Sequence, residues 1–208
     1  MNQKNSLGLN NCFLDLKDPI ELFKIWIDEA KKTEPNDPNA LALATADKKG
    51  APSVRMVLLK NFNREGFIFY THLNSQKSIS LKENPIASMC FYWKSLLRQV
   101  RVSGSISKVK EGEADKYYNS RGYESRIAAW ASNQSSELKN RNELIKSVEA
   151  YKNKYNDKEN VPRPDYWSGW NLSPANIEFW LRRDNRVHER LMYIKNQDGT
   201  WNKSLLSP

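Results

Sequence analysis

Apolar residues recur at helical spacing near the start of the chain, and the period shortens after residue 40. Asp18 precedes the first stripe as an N-cap, and Pro19 occupies the first helical position. The apolar residues that follow are related by steps of three or four positions; they are Leu22, Phe23, Trp26, Ile27 and Ala30. This spacing predicts an amphipathic helix that packs on a core. Pro35 and Pro38 then end the helix in a loop.

From residue 40, short runs with a period of two alternate with turn residues, which is typical of antiparallel hairpins. The predicted strands are 40–46, 52–60, 67–71, 86–93, 99–109, 176–180, 186–194 and 201–206. The further predicted helices are 75–81, 111–120, 125–131 and 136–155. Tight connections between the early strands predict a barrel or closed sandwich. The expected fold class is mainly β with peripheral helices, an α+β architecture with an antiparallel sheet.

No linker divides the chain, so residues 18–208 are expected to form one domain, with residues 1–17 as a mobile N-terminal segment. Cys12 and Cys90 are too few for a disulfide framework and are not spaced as a metal-binding pair, which favours a reducing compartment. No apolar run reaches the ~18 residues that suggest a membrane span. The expectation is a soluble, cytoplasmic protein with no membrane partner.

The formal net charge of +9 at pH 7 favours anionic partners. Nucleic acid, acidic membrane surfaces and phosphorylated small molecules would all satisfy it. The lysines are scattered, however, and a solvated basic surface would account for most of the excess. Charge alone therefore leaves the partner open.

The familiar signatures of metal and covalent catalysis are missing from the sequence. It contains no glycine-rich phosphate loop of either common pattern, no paired cysteines, no His-Glu-x-x-His and no serine at a nucleophile elbow. No metal is expected. The candidate chemistry lies instead with cationic and hydroxyl side chains at the ends of strands and helices.

One candidate group is a cationic row near the end of the chain. Arg186, His188 and Arg190 alternate, and alternate residues of a strand share one face. Desolvating two guanidiniums beside an imidazole costs free energy unless an anion pairs with them, and a phosphorylated or carboxylated ligand would do so. A solvated edge strand is the competing interpretation.

Two further groups could bind phosphate. Arg55 and Lys60 bracket an apolar run and could deliver a cation from each end of a buried strand, although strand ends that reach solvent give the same pattern. Tyr117, Arg121 and Ser125 fall at steps of four, which would place them on one helix face as a phosphate cradle. These are also ordinary surface residues, so neither group is decisive alone.

Taken together, eight segments resemble, in order and spacing, the pyridoxine/pyridoxamine 5′-phosphate oxidase family. The segments are Arg55-Met56-Val57-Leu58-Leu59-Lys60; Phe69-Tyr70-Thr71; Ser75-Gln76-Lys77; Arg98-Gln99-Val100; Tyr117 with Arg121 and Ser125; Trp130-Ala131-Ser132 with Gln134-Ser135; Ile177-Glu178-Phe179-Trp180; and Arg186-Val187-His188-Glu189-Arg190. The resemblance runs from about Asp18 to Pro208.

The resemblance implies an antiparallel FMN-binding split β-barrel and a homodimer that holds FMN in clefts at the subunit interface. It further implies the oxidation of pyridoxine 5′-phosphate and/or pyridoxamine 5′-phosphate to pyridoxal 5′-phosphate in vitamin B6 biosynthesis and salvage. In such enzymes a hydride passes from C4′ of the substrate to flavin N5, and O2 reoxidises the flavin to give H2O2. No nucleic-acid partner is implied.

The resemblance also implies roles for individual residues. The implied FMN contacts are Arg55, Met56, Val57, Leu58, Leu59, Lys60, Tyr70, Thr71, Gln76, Lys77, Gln99, Gln134, Ser135, Trp180 and Arg190. The implied substrate contacts are Lys60, Tyr117, Arg121, Ser125, Arg186 and His188. Arg186 and His188 would also be the catalytic residues beside the reacting carbon.

The chain departs from the family pattern in places that bear on these roles. Gln76 stands where a second arginine is usual beside the lysine of the phosphate site, which predicts weaker FMN retention. Arg182 and Arg183 stand where glycines are common, which puts the local turn in question. Leu205 stands where the family tends to carry an arginine.

Two alternative functions stay open at this point. Another split-barrel flavoprotein, such as a flavin reductase or carrier, would need no substrate site beyond the flavin site. A basic barrel that binds single-stranded nucleic acid would show strong salt dependence and no bound chromophore.

Overall fold

The computed structural model describes residues 7–208. Its α-helices are α1 (Pro19–Thr33), α2 (Gln76–Glu83), α3 (Glu111–Asn119), α4 (Tyr123–Ala131) and α5 (Arg141–Lys154). Its strands are β1 (Ala40–Ala46), β2 (Pro52–Leu58), β3 (Asn61–Asn63), β4 (Gly66–His72), β5 (Ile86–Trp93), β6 (Arg98–Lys108), β7 (Trp167–Leu181), β8 (Glu189–Lys195) and β9 (Trp201–Leu205). A short 3₁₀ turn, Asp184–Arg186, precedes β8.

One antiparallel sheet runs through the described residues in the order β2-β1-β5-β6-β7-β4-β3, with β8 beside β7 and β9 beside β8. The long strand β7 organises it, because residues 167–172 pair with β4 and residues 176–181 pair with β8. β6 pairs with β7 along most of its length. The sheet therefore curls into a half-barrel with peripheral helices, and the expected fold class is confirmed.

Helix α1 packs its aromatic side chains into the concave side of the sheet. Phe23 is fully buried and lies edge-on to Phe67 and Phe91, with ring centroids 5.0 and 5.1 Å away. Trp26 is also fully buried and lies edge-on to Phe179 at 5.1 Å. Burial of each large apolar side chain stabilises the fold by about 1.5–3 kcal/mol. The predicted amphipathic helix is therefore present and is held by the core.

The segment before α1 lies partly outside the described residues. The mobile segment predicted over residues 1–17 includes residues 1–6, which the structure does not describe. In residues 7–17, by contrast, Leu9 and Phe13 are buried, and the Phe13 ring packs against Trp26 at 5.2 Å. The predicted N-cap is confirmed, because the Asp18 carboxylate accepts a hydrogen bond of 2.9 Å from the Ile20 N–H.

The predicted and observed bounds of a strand agree where buried and less buried residues alternate along it. The predicted strands 40–46 and 86–93 are confirmed as β1 and β5. The predicted strand 186–194 is wrong at its start, because Asn185 and Arg186 have φ values of 56° and 62° and the extended backbone resumes only at Glu189. The predicted strand 176–180 is only the second half of β7. The first four residues of β7 are all buried, so the period of two is absent there.

Helix α5 is shorter than the predicted helix 136–155 and lies on the surface. None of its residues is buried, and Ile145 is 45% exposed. It packs against α4, where the Ser147 hydroxyl donates a hydrogen bond of 3.0 Å to the Ala131 carbonyl. No helix among residues 7–208 is both long enough and apolar enough to cross a membrane.

Candidate active site

A cavity of about 640 Å³ lies between the ends of β2 and β4 and the helices α2, α3 and α4. Segments that are far apart in the sequence meet at its walls. The predicted site residues that line it are Met56, Val57, Leu58, Lys60, Tyr70, Thr71, Lys77, Tyr117, Arg121, Ser125 and Gln134. The fold therefore brings most of the predicted cofactor and substrate residues to one cavity.

Lys77 supplies a buried cation at this cavity. Its Nζ donates hydrogen bonds to Thr71 Oγ1 at 3.1 Å, Ser75 Oγ at 3.0 Å and Gln134 Oε1 at 2.9 Å, which are all neutral acceptors. Burial, reinforced by the positive charge of Arg55, lowers the pKa of Lys77 from 10.5 to about 8. An anion at this position would restore the preference of Lys77 for its charged form.

Arg55 lies on β2 close enough to Lys77 for their charges to repel each other. Its guanidinium donates to Leu43 O at 3.1 Å, Thr45 Oγ1 at 2.8 Å and Ser53 Oγ at 2.6 Å. Burial lowers the pKa of Arg55. Two neighbouring cations held only by neutral acceptors form a suitable site for a phosphate group.

Arg121 is a second, partly buried cation at the cavity. Its Nη1 is buried and has no hydrogen-bond partner in the described structure. The guanidinium carbon lies over the Trp167 ring, 4.7 Å from the ring centroid. Burial lowers the pKa of Arg121. An unsatisfied buried donor costs about 1–3 kcal/mol, so an anionic ligand that accepts from Nη1 would stabilise this arrangement.

Three aromatic rings form one wall of the cavity. Tyr70 and Tyr117 stack with their centroids 3.9 Å apart, and Tyr70 also lies parallel to Trp167 at 5.5 Å. Burial raises the pKa of Tyr70 to about 12. Its hydroxyl therefore stays protonated at neutral pH and can donate a hydrogen bond to a ligand.

The predicted common helix face of Tyr117, Arg121 and Ser125 is wrong. Tyr117 lies in α3, Arg121 lies in the connection that follows, and Ser125 lies in α4. The two helices meet at a turn at Gly122, so the three side chains still line the same cavity. The helix predicted to carry the three residues is interrupted between α3 and α4, but the predicted cluster of their side chains is present.

A second group of predicted residues lies outside the lining of this cavity. Gln99 pairs with Trp180 across β6 and β7, and Trp180 pairs with Arg190 across β7 and β8. The Arg190 Nε donates to Glu178 Oε1 at 2.8 Å, and Arg101 binds the same carboxylate. Although burial raises the pKa of Glu178, its hydrogen bonds to the two arginines lower it below the ordinary value overall.

Arg186, His188 and Arg190 do not form one strand face. Arg186 is exposed in the 3₁₀ turn, whereas Arg190 belongs to β8. His188 precedes β8, accepts a hydrogen bond of 3.1 Å from the Arg183 N–H at Nδ1 and contacts the Trp180 ring at a centroid distance of 4.7 Å. The predicted row is therefore corrected to an exposed arginine and a histidine held beside Trp180.

Four other predicted cofactor residues also lie outside the cavity lining, namely Arg55, which is described above, Leu59, Gln76 and Ser135. Leu59 is buried in the core, and Gln76 is exposed at the first position of α2. Ser135 follows Gln134 with a φ of 73°, a left-handed conformation that few residues other than glycine adopt. Their predicted contacts with FMN stay predictions.

The cavity also contains residues that sequence reasoning missed. These residues are His72, Gly122, Ala128, Ala129, Ser132 and Trp167. His72 is buried and stacks on Tyr166 at 4.6 Å, and burial together with Lys77 lowers its pKa. Its position directly after the Phe69-Tyr70-Thr71 segment was an available signal. No group of three or more metal-ligating side chains occurs among the described residues.

A curled antiparallel half-barrel with a cationic cavity defines the class of split-barrel flavoproteins. A similar solved structure is the pyridoxamine 5′-phosphate oxidase-related, FMN binding protein of Nostoc punctiforme, with a TM-score of 0.74 and 16% identity over 92% of this chain and 98% of that chain. PhzG from Burkholderia lata, in complex with tetrahydrophenazine-1-carboxylic acid, has a TM-score of 0.89 and 30% identity over 99% of this chain and 100% of that chain.

Sequence similarity makes the assignment specific. Residues 27–155 match the pyridoxamine 5′-phosphate oxidase family, and residues 167–208 match the pyridoxine 5′-phosphate oxidase C-terminal dimerisation region. The chain is 66% identical to the pyridoxine/pyridoxamine 5′-phosphate oxidase of Pelagibacter ubique over 100% of both proteins. It is 50% identical to that of a Chelativorans species over 99% of this chain and 97% of that protein. The chain belongs to the pyridoxine/pyridoxamine 5′-phosphate oxidase family.

Membership fixes the cofactor and the general chemistry of the protein. It is an FMN-dependent oxidoreductase of vitamin B6 metabolism, and its dimerisation region makes it a homodimer. The residues present fit FMN, because Lys77 at the cavity and the neighbouring Arg55 are both held by neutral acceptors only. The expected family, cofactor and enzyme class are confirmed.

Proposed function

We propose that the cavity is the active site at which pyridoxine 5′-phosphate and pyridoxamine 5′-phosphate are oxidised to pyridoxal 5′-phosphate. The observation that supports this is the presence of two cations at one cavity, the buried Lys77 and the partly buried Arg121. When bound, FMN would supply the redox chemistry, which is acceptance of a hydride from substrate C4′ and reoxidation by O2 to give H2O2. The chain's own residues bind and orient the two reactants.

The Lys77 end of the cavity suits the phosphate of FMN. A phosphate monoester carries a charge near −2 at neutral pH, so it requires more than one cation. Lys77 and Arg55 provide two, and Thr71 and Gln134 already contact the Lys77 ammonium group. The proposed cofactor contacts on this side also include the backbone and side chains of the β2 residues Met56, Val57 and Leu58.

The Arg121 end of the cavity suits the phosphate of the substrate. Lys60, Tyr117 and Ser125 line the cavity together with Arg121. These four residues offer one ammonium, one guanidinium and two hydroxyl groups. All of these groups can donate hydrogen bonds to phosphate oxygens. A flavin reductase or carrier would not require this second phosphate site, so the site supports the oxidase over those alternatives.

We infer that FMN lies at the subunit interface. Strand register places Gln99, Trp180 and Arg190 on the same outer face of the sheet as Met56, which lines the cavity. Trp180 and Arg190 also belong to the matched dimerisation region. A dimer that covers this face would bring these residues against the flavin of the other subunit. The active site would then be complete only in the dimer.

Arg186 and His188 are the proposed catalytic residues in that dimer. Arg186 would orient the substrate and stabilise negative charge. His188 Nδ1 accepts from the Arg183 N–H, which places the proton of a neutral imidazole on Nε2. Nε2 would therefore hold the proton that is shared with the substrate.

We further propose a cytoplasmic location. Cys12 and Cys90 are both free thiols, which suits a reducing compartment. The partner small molecules are the phosphorylated B6 vitamer and O2. A nucleic-acid partner is not proposed, because the cationic groups at the cavity suit two phosphorylated small molecules.

The proposal is tested with the purified dimer. The protein should be yellow, with flavin absorption bands, and should release H2O2 with pyridoxine 5′-phosphate or pyridoxamine 5′-phosphate. Unphosphorylated pyridoxine and pyridoxamine are the matched control substrates, and they should turn over much more slowly. Flavin-loaded protein that forms no H2O2 with either phosphorylated vitamer would overturn the proposed reaction.

Replacing Arg186 separates catalysis from cofactor binding. Arg186→Ala should lower kcat by about 100-fold, since a preorganised charge at the reacting centre is lost. The FMN content, measured by absorbance, should change little. Arg182→Ala, which removes an exposed arginine of the same loop, is the control and should retain activity. Loss of FMN without loss of turnover per bound flavin would show that the role assigned to Arg186 is wrong.

A further inference from the structure

Trp167 lies in the cavity wall, although the sequence pattern predicts no role for it. It is the first residue of β7, only 6% of its surface is exposed, and it lines the cavity. Two of the side chains proposed to bind the substrate phosphate, Arg121 and Tyr117, lie around it. We propose that Trp167 is a positioning residue that holds these two side chains ready for the phosphate. This inference rests on the proposed function of the cavity.

The contact with Arg121 is a cation–π interaction in a desolvated place. The guanidinium carbon lies 4.7 Å from the centroid of the Trp167 ring, well within the ~6 Å over which this attraction acts. No carboxylate forms an ion pair with Arg121 within the described part of the chain, and its Nη1 has no hydrogen-bond partner. The indole therefore replaces the anion that would otherwise neutralise a partly buried guanidinium. It leaves the N–H donors free for an incoming phosphate.

Tyr117 is held through an intermediate ring. Tyr117, Tyr70 and Trp167 lie nearly parallel, with interplanar angles of 14° between the tyrosines, 9° between Tyr70 and Trp167, and 5° between Tyr117 and Trp167. Stacked aromatic rings restrict one another's rotation and stabilise the packed form by about 0.5–1.5 kcal/mol per pair. The orientation of Trp167 therefore sets the plane in which the Tyr117 ring lies.

The Trp167 backbone is itself fixed, which a positioning residue requires. Its N–H donates to Pro164 O at 2.9 Å, and its carbonyl accepts from Arg163 Nη1 at 2.7 Å. Arg163 also binds Glu111 and Asp115 of α3 by ion pairs. The same arginine thus ties the start of β7 to α3, the helix that carries Tyr117. Trp167 then stands at a fixed distance from the helix whose side chain it orients.

The function of this arrangement is to prepare the phosphate site before the substrate arrives. Long side chains lose rotational freedom when they bind, and this loss weakens affinity. Arg121 and Tyr117 have already lost much of this freedom in their contacts with the indole and the ring stack. Removal of the indole should weaken recognition of the substrate phosphate without changing the chemical step.

Substitution of Trp167 in the FMN-loaded dimer tests the proposal. Trp167→Leu should raise KM for pyridoxine 5′-phosphate by about tenfold, as expected for a cation–π contact in a desolvated site. The value of kcat should change little, and the inhibition constant of inorganic phosphate should rise in parallel with KM. Trp167→Phe keeps an aromatic ring with weaker attraction for a cation, so its KM should lie between those of the native protein and Trp167→Leu.

Trp170→Phe is the matched control variant. Trp170 is also buried on β7, but it donates its indole N–H to Ser78 Oγ at 3.0 Å and does not line the cavity. This variant measures the cost of losing an indole in the same strand, and its KM and phosphate inhibition should equal those of the native dimer. A Trp167→Phe variant that behaves in the same way as Trp170→Phe would overturn the positioning role.

A double-substitution cycle shows whether Trp167 acts through Arg121. In an Arg121→Ala background, Trp167→Phe should raise KM no further, because the guanidinium it positions is absent. Fully additive effects would overturn the inference even if both single variants raise KM. Failure of the native dimer to oxidise phosphorylated vitamers would instead contradict the proposed function, so the two failures are distinguishable.

Discussion

Lys77 shows how one residue can link cofactor binding to pH. Its pKa lies near 8 because burial and Arg55 disfavour its charge. Since this value is below the ordinary 10.5, the folded ligand-free protein carries a free-energy cost below pH 8, and the cost disappears as pH rises from 8 to 10.5. Binding of an anion reverses the shift. FMN binding near and above pH 8 should therefore take up a proton.

Titration calorimetry of FMN binding at about pH 8.5, in two buffers of different ionisation enthalpy, measures this proton uptake. The apparent enthalpy should differ between the buffers, and FMN affinity should fall as pH rises through 8. Lys77→Met, which removes the titrating group, should abolish the difference. Equal enthalpies in both buffers for the native protein would contradict the shifted pKa of Lys77.

Gln76 offers a second test at the residue scale. It is exposed at the first position of α2, next to Lys77. A charged donor adds about 1.5–3 kcal/mol when it binds an anion, so Gln76→Arg should hold FMN at least tenfold more tightly. Ile79→Arg adds the same charge at another exposed position of α2 and should have little effect. Equal effects of both variants would indicate a general effect of charge.

The sequence predicted which residues would bind phosphate, but it did not predict which side chains surround them in the fold. Lys77 and Arg121 could be assigned to phosphate binding from the family resemblance. The contact of Arg121 with Trp167 could not, because the two residues are separated by two helices in the chain and meet only in the folded cavity. The ion pair of Arg190 with Glu178 was hidden for a similar reason, since it depends on the register of β7 and β8.

At the scale of elements, strand β7 links the two parts of the half-barrel, because it pairs with β4 along its first half and with β8 along its second half. Its register with β6 shifts between Ser103 and Gly104, where it changes partners from β4 to β8. A Cβ placed on Gly104 would lie 2.0 Å from the Ser173 carbonyl oxygen. Glycine is therefore needed for the close approach of two backbones at the irregularity.

Gly104→Ala should destabilise the protein by about 1–3 kcal/mol, because backbone atoms must move to admit the methyl group. Gly112→Ala is the control: Gly112 lies in α3, and a Cβ there meets nothing within 4 Å. This second change should stabilise the helix by about 0.5–1 kcal/mol. Thermal unfolding of the FMN-loaded dimers measures both effects, and a neutral Gly104→Ala would show that the strands can separate freely.

The sequence predicted elements well where one face of a strand or helix is buried. β1 and β5 were placed correctly because their buried and less buried residues alternate. The first half of β7 was missed because burial on both sides removes that alternation. The start of β8 was misplaced because the left-handed backbone at Asn185 and Arg186 has no glycine to signal it.

At the scale of the whole molecule, the outer face of the sheet carries apolar side chains that suit a subunit interface. Val54 and Met56 on β2 are 67% and 65% exposed, and Ile86 on β5 and Ile194 on β8 are 62% and 53% exposed. Exposed apolar patches of this kind are typical of interaction surfaces. We expect the dimer to cover this face.

Val54→Asp would place a charge in that interface and should weaken the dimer by more than tenfold, because an unpaired charge is costly to bury. Flavin occupancy should fall together with the fraction of dimer, because the proposed flavin contacts of Gln99, Trp180 and Arg190 would come from the partner subunit. Leu138→Asp, at a position 48% exposed before α5, is the control. Light scattering and absorbance on the same column fraction measure both quantities, and a stable, flavin-loaded dimer of Val54→Asp would contradict the placement of the interface.

The connection between β6 and β7 has a consequence for how the chain folds. The two strands pair directly, yet residues 109–166 lie between them and contain α3, α4 and α5. Pairing can therefore begin only after a long loop has closed, and contacts between residues far apart in the chain form slowly. The hairpins of β1 with β2 and of β5 with β6 require much shorter closures. We expect the barrel to nucleate on these hairpins, with the cavity assembled in the last step, so that newly made chains remain unable to capture flavin until nearly all of their sheet has formed.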